Sequence, residues 1–176
     1  MKHWNDTFLD LFSQCCERYR SGQTDYTHYY SADDLELLRQ IGYQPREFFD
    51  FVEDYCDEGR PSPGTALLVA SVRREFFIVE QDAVWSHAER LTAENIPSFG
   101  EELEGMAYLP RILAKARAKL RGELDPDLMF GCGGDRNFLR KHGNIHPADF
   151  LRQVWAAGTD DLALARWVKT QCHTES

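Results

Sequence analysis

Absences do much of the sorting in this chain. No run of apolar residues is long enough to span a bilayer. Positive charge is in deficit: the net charge is −9 and the pI about 5.1. A protein that grips nucleic acid needs a basic face to displace counterions, so that class is excluded. There is no P-loop, no GxSxG elbow and no HExxH pair. The five cysteines, Cys15, Cys16, Cys56, Cys132 and Cys172, are an odd set without a CxxC spacing. That suits reduced thiols rather than a disulfide framework. The opening "MKHWNDTFLD" has acids where a secretory leader would keep an apolar stretch, so a cytoplasmic location is expected, with no membrane and no nucleic-acid partner.

What is present is ample for a packed interior. Hydrophobic residues make up 43% of the 176 and aromatics 12%, enough for one domain or two small units sharing a core. Helical punctuation recurs along the chain. Trp4, Phe8, Leu11, Phe12, Cys15 and Tyr19 stand at helical spacing, with Gly22 beyond the end. Cys15 lies on that apolar stripe as a small core hydrophobe. Ser31 and Asp34 form a capping box, and Gly42 closes the helix they open. Pro45 and Pro63 sit at first helical positions, where a missing N–H costs nothing. The run "FFIV" before Gln81 has β character but no partner nearby, so the helix is expected to continue through it.

Residues 82–105 read as a connector carrying Pro97, Gly100 and Gly105. After it, Leu109, Ile112, Leu113, Ala116 and Leu120 form one apolar face of a helix that Gly122 stops. Three shorter helices follow, over about 135–142, from "HPADFL" to Gly158, and from "TDDLALARWV" with Thr159 as its cap. The expected fold is all-α with about eight helices. It divides into an N-terminal helical unit (1–81), the connector (82–105) and a C-terminal unit (106–176), together forming one compact domain on one core.

A repeat supports that division. "DLELLRQIGYQPREFFDFV" (34–52) aligns with "DRNFLRKHGNIHPADFLRQV" (135–154), with one residue inserted in the second. Identities include Leu38/Leu139, Arg39/Arg140, Gly42/Gly143, Pro45/Pro147, Phe48/Phe150 and Val52/Val154. Either an internal duplication or shared helix punctuation accounts for this, since glycine stops and proline starts are favoured everywhere. The register sets Cys132 opposite Ser31, at the start of a helix.

The segment "FGCGGDRNFL" therefore has two readings. In the plainer one, Cys132 only opens a helix. In the sharper one it is a catalytic thiol, since a helix N-terminus favours negative charge there, or else Asp135 is a base. Gly133, Gly134 and Arg136 would then cradle an anion. The preceding helix adds a basic row, Arg111, Lys115 and Lys119, in a segment (106–122) holding five basic residues and no acid. That row either is a solvated face or offers itself to a phosphate or carboxylate. Cys132, His142 and His146 have metal-ligating atoms, but the histidines are separated by a glycine and a helix break, so no metal and no cofactor is implied.

Two functions follow. The first is a non-enzymatic binding or regulatory module that acts through protein–protein contacts, self-association into a homodimer included. The dense aromatics of "DYTHYY" and "EFFDFVEDY" favour it. The alternative is a binder of, or enzyme on, a small anionic ligand, using Arg111, Lys115, Cys132, Asp135 and Arg136.

The strings "YLPRILAKARAKLRG" and "CGGDRNF" carry a resemblance. Pro110, Arg111, Lys115, Arg117, Ala118, Leu120, Gly122, Cys132, Asp135 and Phe138 fit the pattern of a bacterial family, domain of unknown function 5069, over about 105–170. The departure is Gly133, where the family pattern has proline. The resemblance implies a small helical C-terminal unit and brings no activity with it.

Overall fold

The computed structural model describes residues 2–172. Its fold is mostly α, with eight α-helices and one two-stranded ribbon among the described residues. The chain forms two compact units that divide between Trp85 and Ser86. No described helix is long and apolar enough to cross a membrane.

The first unit contains α1 (Trp4–Arg20), a 3-10 turn (Tyr26–His28), α2 (Ala32–Gln40), α3 (Pro45–Glu58) and α4 (Pro63–Val79). Their starts follow local chemistry. Ser31 accepts from the Asp34 N–H while the Asp34 carboxylate accepts from the Ser31 N–H, which completes the capping box. Pro45 and Pro63 open α3 and α4, and Gly59 ends α3 in the left-handed conformation. The "FFIV" run stays helical.

α1 buries Phe8, Leu11, Phe12, Cys15 and Cys16. α3 buries Phe48, Phe49 and Phe51 together, although their spacing sends them in different directions. This works because α3 is flanked on two sides. Phe48 packs edge-on against Phe8 (4.9 Å) and meets Phe12 and Tyr30, whereas Phe49 meets Tyr19, Tyr26 and Tyr29. The aromatic excess noted in the sequence is thus taken up inside this unit.

The second unit begins with an extended segment, in which Leu91 bridges to Leu124. Next comes an antiparallel ribbon, β1 (Glu102–Leu103) with β2 (Met106–Ala107). Its two-residue turn, Glu104–Gly105, has positive φ at both positions, the geometry that matches strand twist. Sequence reasoning reads this region as a plain connector, because two-residue strands are too short to show alternation.

Four helices follow, α5 (Leu109–Arg121), α6 (Gly133–Lys141), α7 (Pro147–Ala157) and α8 (Asp161–Gln171). The apolar face of α5 is buried as its spacing requires. One cap differs from expectation: α8 is opened by Asp160, not Thr159, because the Asp160 carboxylate accepts from the Ala163 N–H. The histidines serve local structure. His146 caps α7 by accepting from the Ala148 N–H, and His142 Nδ1 lies 2.8 Å from the Phe138 carbonyl.

Candidate functional site

The site is built where the start of α5 meets the start of α6. Tyr108, the residue before α5, has a φ of 76, a conformation uncommon for a bulky side chain. Its hydroxyl donates to Asp135 Oδ1 at 2.8 Å. Lys115, two turns along α5, places its ammonium 2.6 Å from the same carboxylate oxygen. The other oxygen, Oδ2, accepts from the Gly131 N–H at 2.8 Å. Both oxygens of Asp135 are therefore engaged, and its side chain has no exposure at all.

Lys115 is just as enclosed, with its side chain 4% exposed. Its ammonium also donates to the Met129 carbonyl at 3.1 Å and reaches the Tyr108 hydroxyl at 3.5 Å and Cys132 Sγ at 3.2 Å. A buried lysine is tolerated only with such partners. Burial first, and then the Asp135 charge beside it, raises the Tyr108 pKa above the usual phenol range. The hydroxyl thus stays protonated and keeps donating.

Cys132 is the N-cap of α6, as its alignment with Ser31 requires, but its thiol makes no capping hydrogen bond. The side chain is half-buried and points to Lys115. Gly133 and Gly134, the first two helical residues, are exposed, and the N–H groups of a first turn have no partner within the helix. A Cβ added at Gly134 would stand 2.7 Å from the Tyr108 oxygen. Glycine is what lets the Tyr108 hydroxyl come this close to α6. Arg136 curls back so that Nη1 donates to the Gly131 carbonyl at 2.9 Å.

The structure thus sets Lys115 against both Cys132 and Asp135, with Gly133, Gly134 and Arg136 beside them in the first turn of α6. Arg111 and Lys119 stand apart from it. The Arg111 guanidinium lies 4.0 Å from the Phe99 ring centroid and donates to the Pro97 carbonyl, which pins the segment before β1. Lys119 is buried at 1% exposure. Arg111, Lys115 and Lys119 consequently do not form a row facing solvent. Nor does Asp135 suit the role of base toward a substrate, since both its oxygens are committed to Tyr108, Lys115 and Gly131.

Sequence reasoning misses Tyr108, which carries no motif. The one usable signal is Gly134 itself, a glycine in a first helical turn where something presses close. Among the described residues, no group of three or more His, Cys, Asp or Glu side chains is arranged to hold a metal ion.

Comparison with curated proteins and with solved structures returns no match. Residues 93–176 match the family described as Domain of unknown function (DUF5069), and every member of the cluster, Tyr108 through Arg136, falls within that stretch.

Proposed function

We propose that the chain acts through Cys132 as a thiol nucleophile on a small substrate that carries a carboxylate or phosphate. The observation that carries this reading is the Lys115 ammonium, buried and 3.2 Å from a half-buried thiol. The ammonium donates to the sulfur, the atom through which a cysteine attacks. In that attack Asp135 and Tyr108 hold the ammonium in place as positioning residues. The exposed N–H groups of Gly133 and Gly134, with Arg136 beside them, receive the anionic group of the substrate. The alternative, a module working by protein contacts, has less support, because Tyr29, Phe48, Phe49 and Phe51, four of the aromatic side chains that favoured it, are buried within the first unit.

The test compares iodoacetate with the neutral reagent iodoacetamide on the native protein, followed by peptide mapping. Cys132 is expected to react faster than free cysteine. It should also favour iodoacetate over iodoacetamide more than free cysteine does, and inorganic phosphate should slow it. A rate at or below that of free cysteine, with no charge preference and no protection by phosphate, sinks the reading.

A further inference from the structure

We infer that Lys115 and Cys132 are the two halves of an oxidative crosslink, a covalent modification site in which peroxide joins the amine nitrogen to the sulfur. The geometry is already set. Nζ stands 3.2 Å from Sγ, and each atom is held by other contacts. The amine is fixed by Asp135 and the Met129 carbonyl, and the sulfur by its N-cap position on α6. The thiol is accessible enough for a small oxidant, while the lysine is not. The nucleophile facing Cys132 is thus an amine, where a redox-sensing cysteine ordinarily faces a second thiol.

The chemistry balances with hydrogen peroxide as the oxidant. The sulfur attacks one peroxide oxygen, the O–O bond breaks, and sulfenic acid and water result. Lys115 then passes a proton to the Asp135 carboxylate, 2.6 Å away, which leaves a neutral amine and a neutral acid. The nitrogen lone pair attacks Sγ, the S–O bond breaks, and the departing hydroxide takes a proton from nitrogen as water. Overall, thiol, amine and peroxide give a sulfenamide and two waters, so the protein becomes lighter by two hydrogens. Condensation of a sulfenic acid with nitrogen is established chemistry for backbone amides. Here the step also removes two buried charges at once, each of which is costly to keep away from water.

The linkage ties α5 to the start of α6 and takes the Cys132 thiol out of use. Only that last consequence, the silencing of a nucleophile, rests on the function proposed above. The bond itself depends on the nitrogen–sulfur approach alone.

The experiment treats the full chain with hydrogen peroxide, digests it without reductant and maps the peptides by mass. The expected product joins the peptide containing Lys115 to the one containing Cys132, lighter by two hydrogens and separated again by dithiothreitol. Lys115→Arg retains the charge beside Asp135 but is expected to lose the joined peptide and to leave Cys132 as sulfenic acid trapped by dimedone. Wild-type protein whose Cys132 proceeds to the dimedone adduct or to sulfinic acid, with no joined peptide, overturns the inference. That outcome is read on the wild-type chain and needs no variant to fold. The alkylation test is run on reduced protein, so it can succeed where this one fails.

Discussion

Two helix starts with the same sequence register are put to opposite uses. At α2, Ser31 and Asp34 satisfy each other's N–H groups at the surface, and the start of the helix is self-sufficient. At α6, cysteine replaces serine and the cap is lost. The aspartate at the same third position, Asp135, turns inward and takes the Gly131 N–H, the Tyr108 hydroxyl and the Lys115 ammonium. One unit commits its carboxylate to local order, and the other uses it to hold a lysine against a thiol. The start of α6 gives up its cap and organises buried charge instead. On the function proposed above, that is where a local rule is expected to break.

The sharpest contrast between α2 and α6 is expected from deleting each aspartate. Asp135→Ala leaves the Lys115 ammonium buried without its counter-charge, and such losses cost roughly 3–5 kcal/mol. Asp34→Ala removes half of a surface capping box and costs about 1 kcal/mol or less. Urea denaturation of the two variants measures the difference. A double change, Lys115→Met with Asp135→Leu, should recover the charge part of the first loss, because a buried pair replaced by apolar groups is often close to neutral. The part owed to the Tyr108 hydroxyl and the Gly131 N–H, left without an acceptor, should remain. Equal costs for the two alanine variants would mean that the inward cluster carries no charge coupling.

The glycine pair sharpens the comparison further. Position 33, opposite Gly134 in the repeat, carries an exposed aspartate without difficulty. A methyl group at 134 would collide with the Tyr108 oxygen at 2.7 Å. Gly134→Ala is therefore expected to cost roughly 1–3 kcal/mol as an overpacking change, despite alanine being the better helix former by about 1 kcal/mol. Asp33→Ala should stay within about 0.5 kcal/mol. A displaced Tyr108 also loosens Lys115, so alkylation of Cys132 should change in Gly134→Ala alone. An unaltered labelling rate would separate Tyr108 from the site.

Punctuation makes the helices legible in the sequence. Pro45, Pro63 and Pro147 mark their starts, and Gly59 and Gly122 their stops, because backbone geometry favours those residues wherever a helix begins or ends. Alignment with Ser31 puts Cys132 at the start of a helix, and the structure has it there. The interior of the site is less legible. Lys115 and Lys119 flank the apolar face of α5, and lysine is almost never buried unless it is paired. The partner of Lys115 lies in α6, a helix that local periodicity does not connect to α5. The ribbon Glu102–Ala107 and the inward turn of Tyr108 depend likewise on tertiary contacts. Helix ends are local facts, whereas which cation goes inside is settled between elements.

The smallest contrast concerns the thiols, and at neutral pH it vanishes. In the first unit, burial pushes the Cys15 thiol up to about 12, and burial with the neighbouring Cys56 does the same to Cys16. In the unfolded chain both ionise near the ordinary 9.0. A group whose pKa is higher folded than unfolded contributes stability fully below its unfolded value and loses it as pH rises. The first unit should therefore hold steady from pH 7 to about 9 and weaken between 9 and 12, with the hydroxyls of buried Tyr29 and half-buried Tyr30, also raised by desolvation, adding in the same direction. Circular dichroism during an alkaline titration follows the transition, and urea midpoints at successive pH values give its slope. Cys15→Ala and Cys16→Ala are each expected to lower stability at every pH while flattening the slope above about 9. A slope left unchanged by both would assign the alkaline loss to the tyrosines alone.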